Sequence, residues 1–349
     1  MKFSELVENL NSEIIGQSLT DHPTLNPEIL GVAAVDEATS GTLSYIEGLK
    51  FASFVQRSSA SALILPLDES LQVQATEQGK AWISVANPRL VFAEVITLFY
   101  QPYQPQPSIH PSAVIDPTAK IGSAVYIGPH VVIQAGVTLG NQVCLHPNVV
   151  IYPDVTIGDR SILHANCTIH ERAQIGCDCV IHSGAVIGAE GFGFVPTASG
   201  WMKMEQSGIT VLEDGVEVGC NSTIDRPAVG ETRIGKATKL DNLVHIGHGC
   251  TVGQNCAFAA QVGLAGGVTV GNGVLLAGQV GIANQVKVGD RAIITAQSGV
   301  HNDIPAAEIF SGSPAILNKL YLKTAAIYKR LPELYQSLKA LERHFNHPV

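Results

Sequence analysis

The chain has 349 residues, seven cysteines and a formal net charge of −9. This length allows two or three domains, the acidic balance argues against a nucleic-acid partner, and no apolar run approaches the ~18 residues that cross a membrane. The opening sequence MKFSELVENL carries charges and lacks the apolar core of a signal peptide, so we expect a cytoplasmic protein without a transmembrane segment. No CxxC pair occurs, so neither disulfides nor a zinc site are expected.

Residues 1–100 predict a small α/β domain. Four short apolar runs bounded by turn residues predict strands, in ILGVAAV, GTLSYIE, SALILPL and AWISVAN. SELVENLN and PRLVFAEVITLFY predict helices, with Ser4 capping the first and Pro88 in the first turn of the second. Residues 101–108, QPYQPQPS, predict an extended linker.

A six-residue repeat begins at Ile109. Fourteen consecutive hexads start with Ile or Leu, and their fifth positions hold only Ala, Val, Ser, Cys or Gly. The repeat returns at Leu212 after an interruption, shifts once more, and runs from Ile234 to Val300. Three hexads close a triangular coil, and the short strands of successive coils pair in parallel. We therefore predict a mainly β domain over residues 109–305, built as a parallel β-helix.

Two stretches depart from this repeat. The interruption between Ile187 and Leu212 contains GFGF and a tryptophan, and a loop of this length in a compact fold is usually functional, a tolerated insertion being the alternative. Residues 306–349 have helical spacing and predict two helices separated at Pro332. Between Lys319 and Arg343 the side-chain charges sum to +4, which fits either a docking face for an acidic partner or a solvated helix face.

Histidines recur at the second hexad position, namely His110, His146, His164, His170, His182 and His301. Three of them, His146, His164 and His182, are eighteen residues apart and should stack on successive coils. A shared metal ion is one interpretation, although no carboxylate or cysteine recurs in this column to complete its ligand shell. A polar corner at a subunit interface is the other.

His248 is the only histidine at the third hexad position. Eighteen residues further on, the same corner holds Gly266, and then Asn284. A base beside a glycine N–H is the minimum machinery for acyl transfer, because the base accepts the proton of the nucleophile and the N–H stabilises the oxyanion. The sixth-position column reads His245, Gly263, Gly281 and Gly299. Its glycines leave a bare groove of about 10 Å that suits an acyl chain, unless they only favour tight corners.

Three segments together resemble the UDP-3-O-acylglucosamine N-acyltransferases of lipid A biosynthesis. They are IGAEGFGF at residues 187–194, TIDR at residues 223–226, and the run DNLVHIGH that ends at His248. The hexads alone resemble the wider class of hexapeptide-repeat acyltransferases, whose β-helix is left-handed. The resemblance therefore implies a left-handed parallel β-helix with a small N-terminal α/β domain and C-terminal α-helices over residues 306–349.

The same resemblance implies a function and an assembly. The family transfers a 3-hydroxyacyl group from acyl carrier protein to the 2-amino group of a UDP-sugar, UDP-3-O-(3-hydroxyacyl)-glucosamine. It is a homotrimer with active sites in the clefts between solenoids, and we expect neither a metal nor another cofactor.

Roles for individual residues follow from the resemblance. His248 is implied to be the catalytic base, Asp241 the acid that orients it, and Gly266 the oxyanion donor. The N-terminal domain is implied to bind uridine through Tyr45 and Phe51; Gly48 stands where the family usually has asparagine, and Gln285 where it often has histidine. The remaining expected contacts are Lys50, His245 and Asn284 for substrate, and Gly263, Gly281 and Gly299 for the acyl groove.

Two other functions fit parts of the pattern. The related O-acyltransferases that act on UDP-N-acetylglucosamine share the repeat and the catalytic histidine, but the N-terminal domain and the GFGF segment argue against them. A non-catalytic hexapeptide protein, either a scaffold or a metal trimer like the carbonic anhydrases of this fold, would place several second-position histidines on zinc.

Overall fold

The computed structural model describes residues 1–346. The chain divides into two compact units, Met1–Gln104 and Pro105–Val349, so the boundary falls within the segment predicted as a linker. In the first unit the strands are β1 (Gly16–Gln17), β2 (Gly31–Val32), β3 (Thr42–Tyr45), β4 (Ala62–Leu65) and β5 (Ala81–Ser84). The helices are α1 (Phe3–Glu8), α2 (Phe54–Arg57), α3 (Glu69–Glu77) and α4 (Pro88–Phe99), with 3₁₀ turns at Ser18–Thr20 and Leu49–Phe51.

The first unit is a five-stranded sheet between two groups of helices. Its strand order is β1-β5-β4-β3-β2, with β1 antiparallel and the other strands parallel. Alternate residues of β4 point to opposite faces, as the pleat requires. Ala62 and Ile64 pack with α1 and α4, whereas Leu63 and Leu65 pack with α2 and α3. The predicted α/β composition of this unit is therefore confirmed.

The helix starts in this unit test two predictions from sequence. Pro88 lies in the first turn of α4, and the Asn87 side chain caps the helix by accepting from the Leu90 N–H at 3.1 Å. The prediction that Ser4 caps α1 is wrong. Lys2 is the cap residue, and its N–H donates to the Glu5 carboxylate at 2.9 Å.

The second unit is a parallel β-helix whose three faces are three sheets. Within the described residues these sheets have ten, nine and twelve strands. The first face comprises Val114–Ile115, Val132–Ile133, Val150–Ile151, Thr168–Ile169, Val186–Glu190, Thr223–Arg226, His245–Ile246, Gly263–Leu264, Gly281–Ile282 and Gly299–Val300. The second face comprises Lys120–Ile121, Thr138–Leu139, Thr156–Ile157, Gln174–Ile175, Ile209–Leu212, Glu231–Ile234, Thr251–Val252, Thr269–Val270 and Lys287–Val288. The third face comprises Ser108–Ile109, Tyr126–Ile127, Cys144–Leu145, Ile162–Leu163, Val180–Ile181, Glu217–Val218, Lys239–Leu240, Ala257–Phe258, Leu275–Leu276, Ile293–Ile294, Ile309–Ser311 and Ile316–Leu317.

The hexad explains each corner of the coil. The first- and fifth-position side chains form one continuous buried core from Val125 to Ile304. The fourth position turns the chain with a positive φ, for example +64° at Asn148 and +74° at Gly184, a conformation that Asn and Gly adopt at low cost. Strands eighteen residues apart pair in register, such as Val132 with Val150. The predicted mainly β class and the hexapeptide coil are confirmed.

The interruption of the repeat is a β-hairpin that projects from one coil. Its strands are Phe194–Thr197 and Gly200–Lys203, which pair antiparallel. The strands on either side of the hairpin continue the coil, since Val186 pairs with Thr223 across the insertion. The next coil is also longer than eighteen residues, because Thr223 pairs with His245 at a spacing of twenty-two. A register shift between Ile187 and Ala189 marks the place where the hairpin leaves the first face.

The predicted histidine column is present on the third face. The rings of His146 and His164 stack with centroids 4.9 Å apart, and those of His164 and His182 with centroids 5.1 Å apart. The Glu217 carboxylate accepts a hydrogen bond from the His182 Nε2 at 2.8 Å. Burial lowers the pKa of His146 and of His164, which favours neutral rings in this stack.

Buried cysteines occupy the narrow fifth positions, as expected for small core residues. The Cys250 thiol donates to the Ala265 carbonyl at 3.1 Å and the Cys167 thiol to the His182 carbonyl at 3.0 Å. Burial raises the pKa of Cys250 to about 11 and that of Cys167 to about 12. These thiols are therefore core side chains rather than reactive nucleophiles.

The coil ends in an antiparallel turn and two helices. The strand Ile309–Ser311 pairs in parallel with Ile293–Ile294, and Ile316–Leu317 folds back on it antiparallel. The helices are α5 (Asn318–Tyr328) and α6 (Leu331–Asn346), so the predicted break lies just before Pro332, which occupies the first turn of α6. Among the described residues no helix is long and apolar enough to cross a bilayer.

Candidate active site

A cavity of about 610 Å³ opens along the first face of the β-helix. It spans four consecutive coils, because it is lined by residues of the strands that begin at His245, Gly263, Gly281 and Gly299. Its lining is Phe192, Asp225, His245, Gly247, His248, Gly263, Leu264, Ala265, Gly266, Gly281, Ile282, Ala283, Asn284, Gly299, Val300, His301 and Ser313. The structure thus brings together seven of the site residues expected from the sequence: His245, His248, Gly263, Gly266, Gly281, Asn284 and Gly299.

The imidazole of His248 lies directly against Gly266 of the next coil. A Cβ atom placed on Gly266 would be 2.6 Å from Cε1 and 2.7 Å from Nε2 of His248, so any larger residue would push the ring away. Within the described chain the Gly266 N–H has no protein acceptor. A base and an available N–H therefore share one corner, as acyl transfer requires.

A buried carboxylate, Asp225, lies on the preceding coil of the same cavity. Its Oδ2 is 3.8 Å from Nε2 of His245, and the other ring nitrogen of His245 shares a hydrogen bond of 2.8 Å with the Thr223 hydroxyl. Burial raises the pKa of the Asp225 carboxyl, while positive charge on His245 and on His248 acts in the opposite direction. Asp225 is thus an acidic side chain that interacts electrostatically with both histidines of the cavity.

The glycine column forms an open groove that is closed at one end. Around a Cβ placed on Gly263 or Gly281 there is no atom within 4 Å. A Cβ atom placed on Gly299 would lie 2.9 Å from the Ser313 hydroxyl and 3.6 Å from Nε2 of His301. The floor of the groove is therefore bare over two coils and is bounded at the third by the segment that follows the last coil.

The hairpin insertion reaches the cavity through its GFGF segment. A Cβ atom on Gly191 would lie 2.5 Å from Cβ of His248, so this backbone packs against the histidine side chain. The Phe192 side chain is 83% exposed and lines the cavity. The interruption thus contributes to the site, as the functional interpretation of the loop expected.

Two expected site residues lie elsewhere. Asp241 follows a strand of the third face and lines a separate cavity of about 570 Å³ with His182, Glu217 and Lys239. It is at a different corner of the coil from His248, which follows a strand of the first face. Within one chain Asp225, and not Asp241, lines the cavity that contains His248, and the role of Asp241 stays a prediction.

Gln285 also departs from its expected place. It occupies the fourth hexad position with φ of +60°, and it is exposed on the turn beside Gly267 rather than among the residues that line the cavity. Its neighbour Asn284 lines the cavity instead. Substrate contacts by Asn284 and by Gln285 both stay predictions.

The residues expected to bind uridine belong to the first unit. The Tyr45 ring packs on Phe92 of α4 with centroids 4.7 Å apart, so one face of this ring is already covered. Phe51 is 38% exposed, and the Lys50 ammonium lies 5.7 Å from its ring centroid. Gly48 has open space around its Cα. An aromatic surface with a nearby cation is therefore present on this turn.

Metal chemistry was the alternative for the histidine column. Among residues 1–346, no group of three or more His, Cys, Asp and Glu side chains is placed to hold a metal ion. The three stacked rings of the column are nearly parallel, with interplanar angles of 6° and 3°. The nitrogen lone pairs of stacked rings lie in parallel planes, here with ring centroids 4.9 Å and 5.1 Å apart, so they do not converge on a common point.

Two side chains that line the cavity, Asp225 and Phe192, escaped sequence reasoning. Asp225 was missed because stepping eighteen residues back from the histidines does not reach it; the coil that follows the hairpin has twenty-two residues, as the pairing of Thr223 with His245 shows. Phe192 lies in a stretch without a repeat, where no register argument applies. The TIDR and GFGF segments themselves were the available signals.

Comparison with known proteins agrees with the repeat. Models of the bacterial transferase hexapeptide match residues 106–141, 136–171 and 231–266. The solved Arabidopsis UDP-N-acetylglucosamine acyltransferase superposes with a TM-score of 0.56 at 27% identity, covering 66% of this chain and 82% of that one. The Moraxella catarrhalis UDP-N-acetylglucosamine O-acyltransferase superposes with a TM-score of 0.50 at 28% identity, covering 65% of this chain and 83% of that one. The chain is therefore an acyltransferase of the hexapeptide-repeat class.

Longer matches narrow this class to one family. The family model for UDP-3-O-(3-hydroxymyristoyl) glucosamine N-acyltransferase matches residues 26–98, in the first unit. A UDP-3-O-acylglucosamine N-acyltransferase of Rippkaea orientalis is 72% identical over 98% of this chain and 99% of its own length. The Microcystis aeruginosa enzyme of the same name is 73% identical over 98% of this chain and its full length. The chain belongs to the UDP-3-O-acylglucosamine N-acyltransferase family.

Proposed function

We propose that this protein transfers a 3-hydroxyacyl group from acyl carrier protein to the 2-amino group of UDP-3-O-(3-hydroxyacyl)-glucosamine. One observation carries the proposal: the His248 imidazole lies against Gly266 at the head of a groove with a bare glycine floor. Such a groove fits an extended acyl chain, and its head provides the base and the N–H that attack on a thioester needs. The expected cytoplasmic location is part of the same proposal.

The proposed chemistry assigns one task to each group. His248 accepts the proton of the sugar amine as the nitrogen attacks the thioester carbon, and the N–H of Gly266 stabilises the oxyanion. Collapse of this intermediate forms the amide and expels the thiol of the carrier protein. Asp225 orients the histidines and balances the positive charge that develops on His248, as the acid of a base–carboxylate pair does.

The second unit also supports the proposed homotrimer. On α6, four leucines follow a spacing of three and four residues and are 46–56% exposed: Leu331, Leu334, Leu338 and Leu341. This spacing is the seam of a coiled coil, which other helices cover in an assembly. Copies of the same helix are the occupants we propose. In such a trimer Asp241 would reach a catalytic cleft only from a neighbouring chain.

The first unit is proposed to hold the uracil. The exposed ring of Phe51, the Lys50 ammonium and the free side of Tyr45 form the surface, and the open space at Gly48 leaves room for the base. Gly48 supplies no side-chain contact, so we expect recognition by stacking and by backbone groups.

Purified protein should acylate UDP-3-O-acyl-glucosamine with a 3-hydroxyacyl thioester of acyl carrier protein. Mass spectrometry of the product should show an amide that resists mild alkaline hydrolysis, because the acceptor is an amine. UDP-N-acetylglucosamine offered as the acceptor should remain unmodified. An ester product on UDP-N-acetylglucosamine, with no amide on the amine substrate, would instead support the O-acyltransferase function.

Charge reversal on the C-terminal helices tests the proposed docking of the carrier protein. The double variant Lys323→Glu with Arg330→Glu should raise KM for the carrier thioester and leave KM for the UDP-sugar unchanged, because exposed charges act mainly on association. Arg330 already lies 3.6 Å from Glu333, so Lys323 should contribute the larger part. Increasing salt should reduce the difference between the variant and the wild type.

The matched control is Lys236→Glu, an exposed lysine on a coil corner outside the helices. Sedimentation of each variant separates docking from assembly. If the double variant loses the trimer and its KM for the thioester shows no salt-sensitive change, the helices hold the assembly and do not dock the carrier.

A further inference from the structure

Arg226 is a buried cation at the base of the hairpin insertion. Its side chain is 6% exposed, and its guanidinium contacts two carboxylates, Glu171 at 2.8 Å and Glu190 at 3.5 Å. Two further N–H groups donate to backbone carbonyls at 2.8 Å, one to Gly188 and one to Gln206. These carbonyls lie at the start and at the end of the insertion, so a single side chain joins its two arms.

The backbone of Arg226 continues this contact towards the catalytic corner. Its carbonyl accepts from the Gly191 N–H at 3.1 Å, and Gly191 is the residue whose backbone packs on Cβ of His248. The Lys203 ammonium, 2.5 Å from the Glu190 carboxylate, links the second strand of the hairpin to the same cluster. The ion pairs of Arg226, where the insertion leaves the coil, are thus connected through Gly191 to the side chain of His248.

We propose that Arg226 is a positioning residue that clamps residues 188–206 so that Gly191 holds His248 and Phe192 closes the cleft against water. The inference rests on His248 being the base. A planar guanidinium suits this task, because it presents several donors in fixed directions and can bind two carbonyls and a carboxylate together. A lysine carries the charge on a single ammonium and cannot span both arms.

Loss of the clamp has an expected chemical signature. When the segment opens, water reaches the thioester, and hydrolysis to the free acid and the carrier thiol competes with transfer to the amine. Arg226→Met should therefore raise the ratio of hydrolysis to transfer and lower kcat by roughly 10–100-fold. Hydrogen exchange at residues 188–206 should become faster, while exchange in the other coils stays unchanged.

Arg226→Lys should give an intermediate result, since it keeps the charge and loses one of the carbonyl contacts. This milder variant decides the question if Arg226→Met does not fold, because removal of the guanidinium takes the donor from Glu171 and from the carbonyls of Gly188 and Gln206. Gly191→Ala should reproduce the raised hydrolysis ratio without any change at the ion pairs. The matched control is Arg233→Met, which also removes an arginine from two carboxylates, Glu213 at 2.9 Å and Glu231 at 2.7 Å, both outside residues 188–206.

The proposal is overturned if Arg226→Met, or Arg226→Lys in its place, matches Arg233→Met in kcat and in the hydrolysis ratio. It is equally overturned if exchange at residues 188–206 does not change. A wild-type rate in His248→Ala would refute the assignment of the base instead, and the exchange data would still show whether Arg226 holds the segment.

Discussion

Replacing His248 with alanine is expected to lower kcat by roughly 10²–10⁴-fold while the free energy of unfolding changes little. Among the described residues, the imidazole is the basic group that lies against Gly266, and without it the proposed reaction has no acceptor for the proton of the sugar amine. The ring is only partly buried, so its loss leaves no large hole in the core. Single-turnover rates with saturating thioester, together with urea unfolding curves, provide the two measurements.

His245→Ala is the matched control for this experiment. His245 lines the same cavity and lies near the same carboxylate, but its side chain is 52% exposed and bonds to Thr223. We expect a smaller effect, mainly on KM for the UDP-sugar. Near wild-type turnover in His248→Ala, or a larger loss of kcat in His245→Ala, would reassign the base.

Filling the glycine groove is expected to have the second largest effect. Gly281→Leu places an isobutyl group where no atom lies within 4 Å, so the variant should fold. The new side chain would occupy the path of an acyl chain and displace its thioester from Gly266. Because of this displacement we expect kcat/KM to fall by about 10²-fold. The measurement compares long 3-hydroxyacyl donors with an acetyl donor.

The acetyl donor should be much less affected, because it does not extend as far as Gly281. The control is Val150→Leu, which changes the same position of the hexad on the first face, several coils before the cavity. Equal losses for long and for short donors would show that the glycine column does not accommodate the acyl chain.

The regular coils made much of this site accessible from the sequence. A fixed spacing of eighteen residues places Gly266 beside His248 and aligns Gly263, Gly281 and Gly299, since each pair occupies the same position on consecutive turns. The same reasoning fails where the spacing changes. Asp225 precedes His245 by twenty residues across the lengthened coil, so no column drawn from the histidines passes through it.

Other differences have local causes. Gln285 shares a turn with Asn284, but only Asn284 lines the cavity within one chain, a distinction of one residue that a motif comparison does not resolve. The clamp at Arg226 depends on the carbonyls of Gly188 and Gln206. Every residue has a backbone carbonyl, so the residue types do not indicate which of them accept these hydrogen bonds. Contacts of this kind emerge only from the folded chain.

The antiparallel pair of strands Ile309–Ser311 and Ile316–Leu317 affects whether molecules can associate end to end. A stack of identical coils has no preferred length, and each bare end exposes unpaired strands to which another chain could add. Here the Gly299 N–H donates to the Gly312 carbonyl at 3.0 Å, and the Gly299 carbonyl accepts from Ala315 at 2.7 Å. The backbone N–H and C=O of Gly299 in the last coil are thus already hydrogen-bonded within the chain. They are not free to pair with a strand of another molecule, and this opposes end-to-end growth into fibres. Because the same segment brings Ser313 to the groove, one stretch of chain limits the stacking of the coils and, in the proposed function, the depth available to the acyl tail.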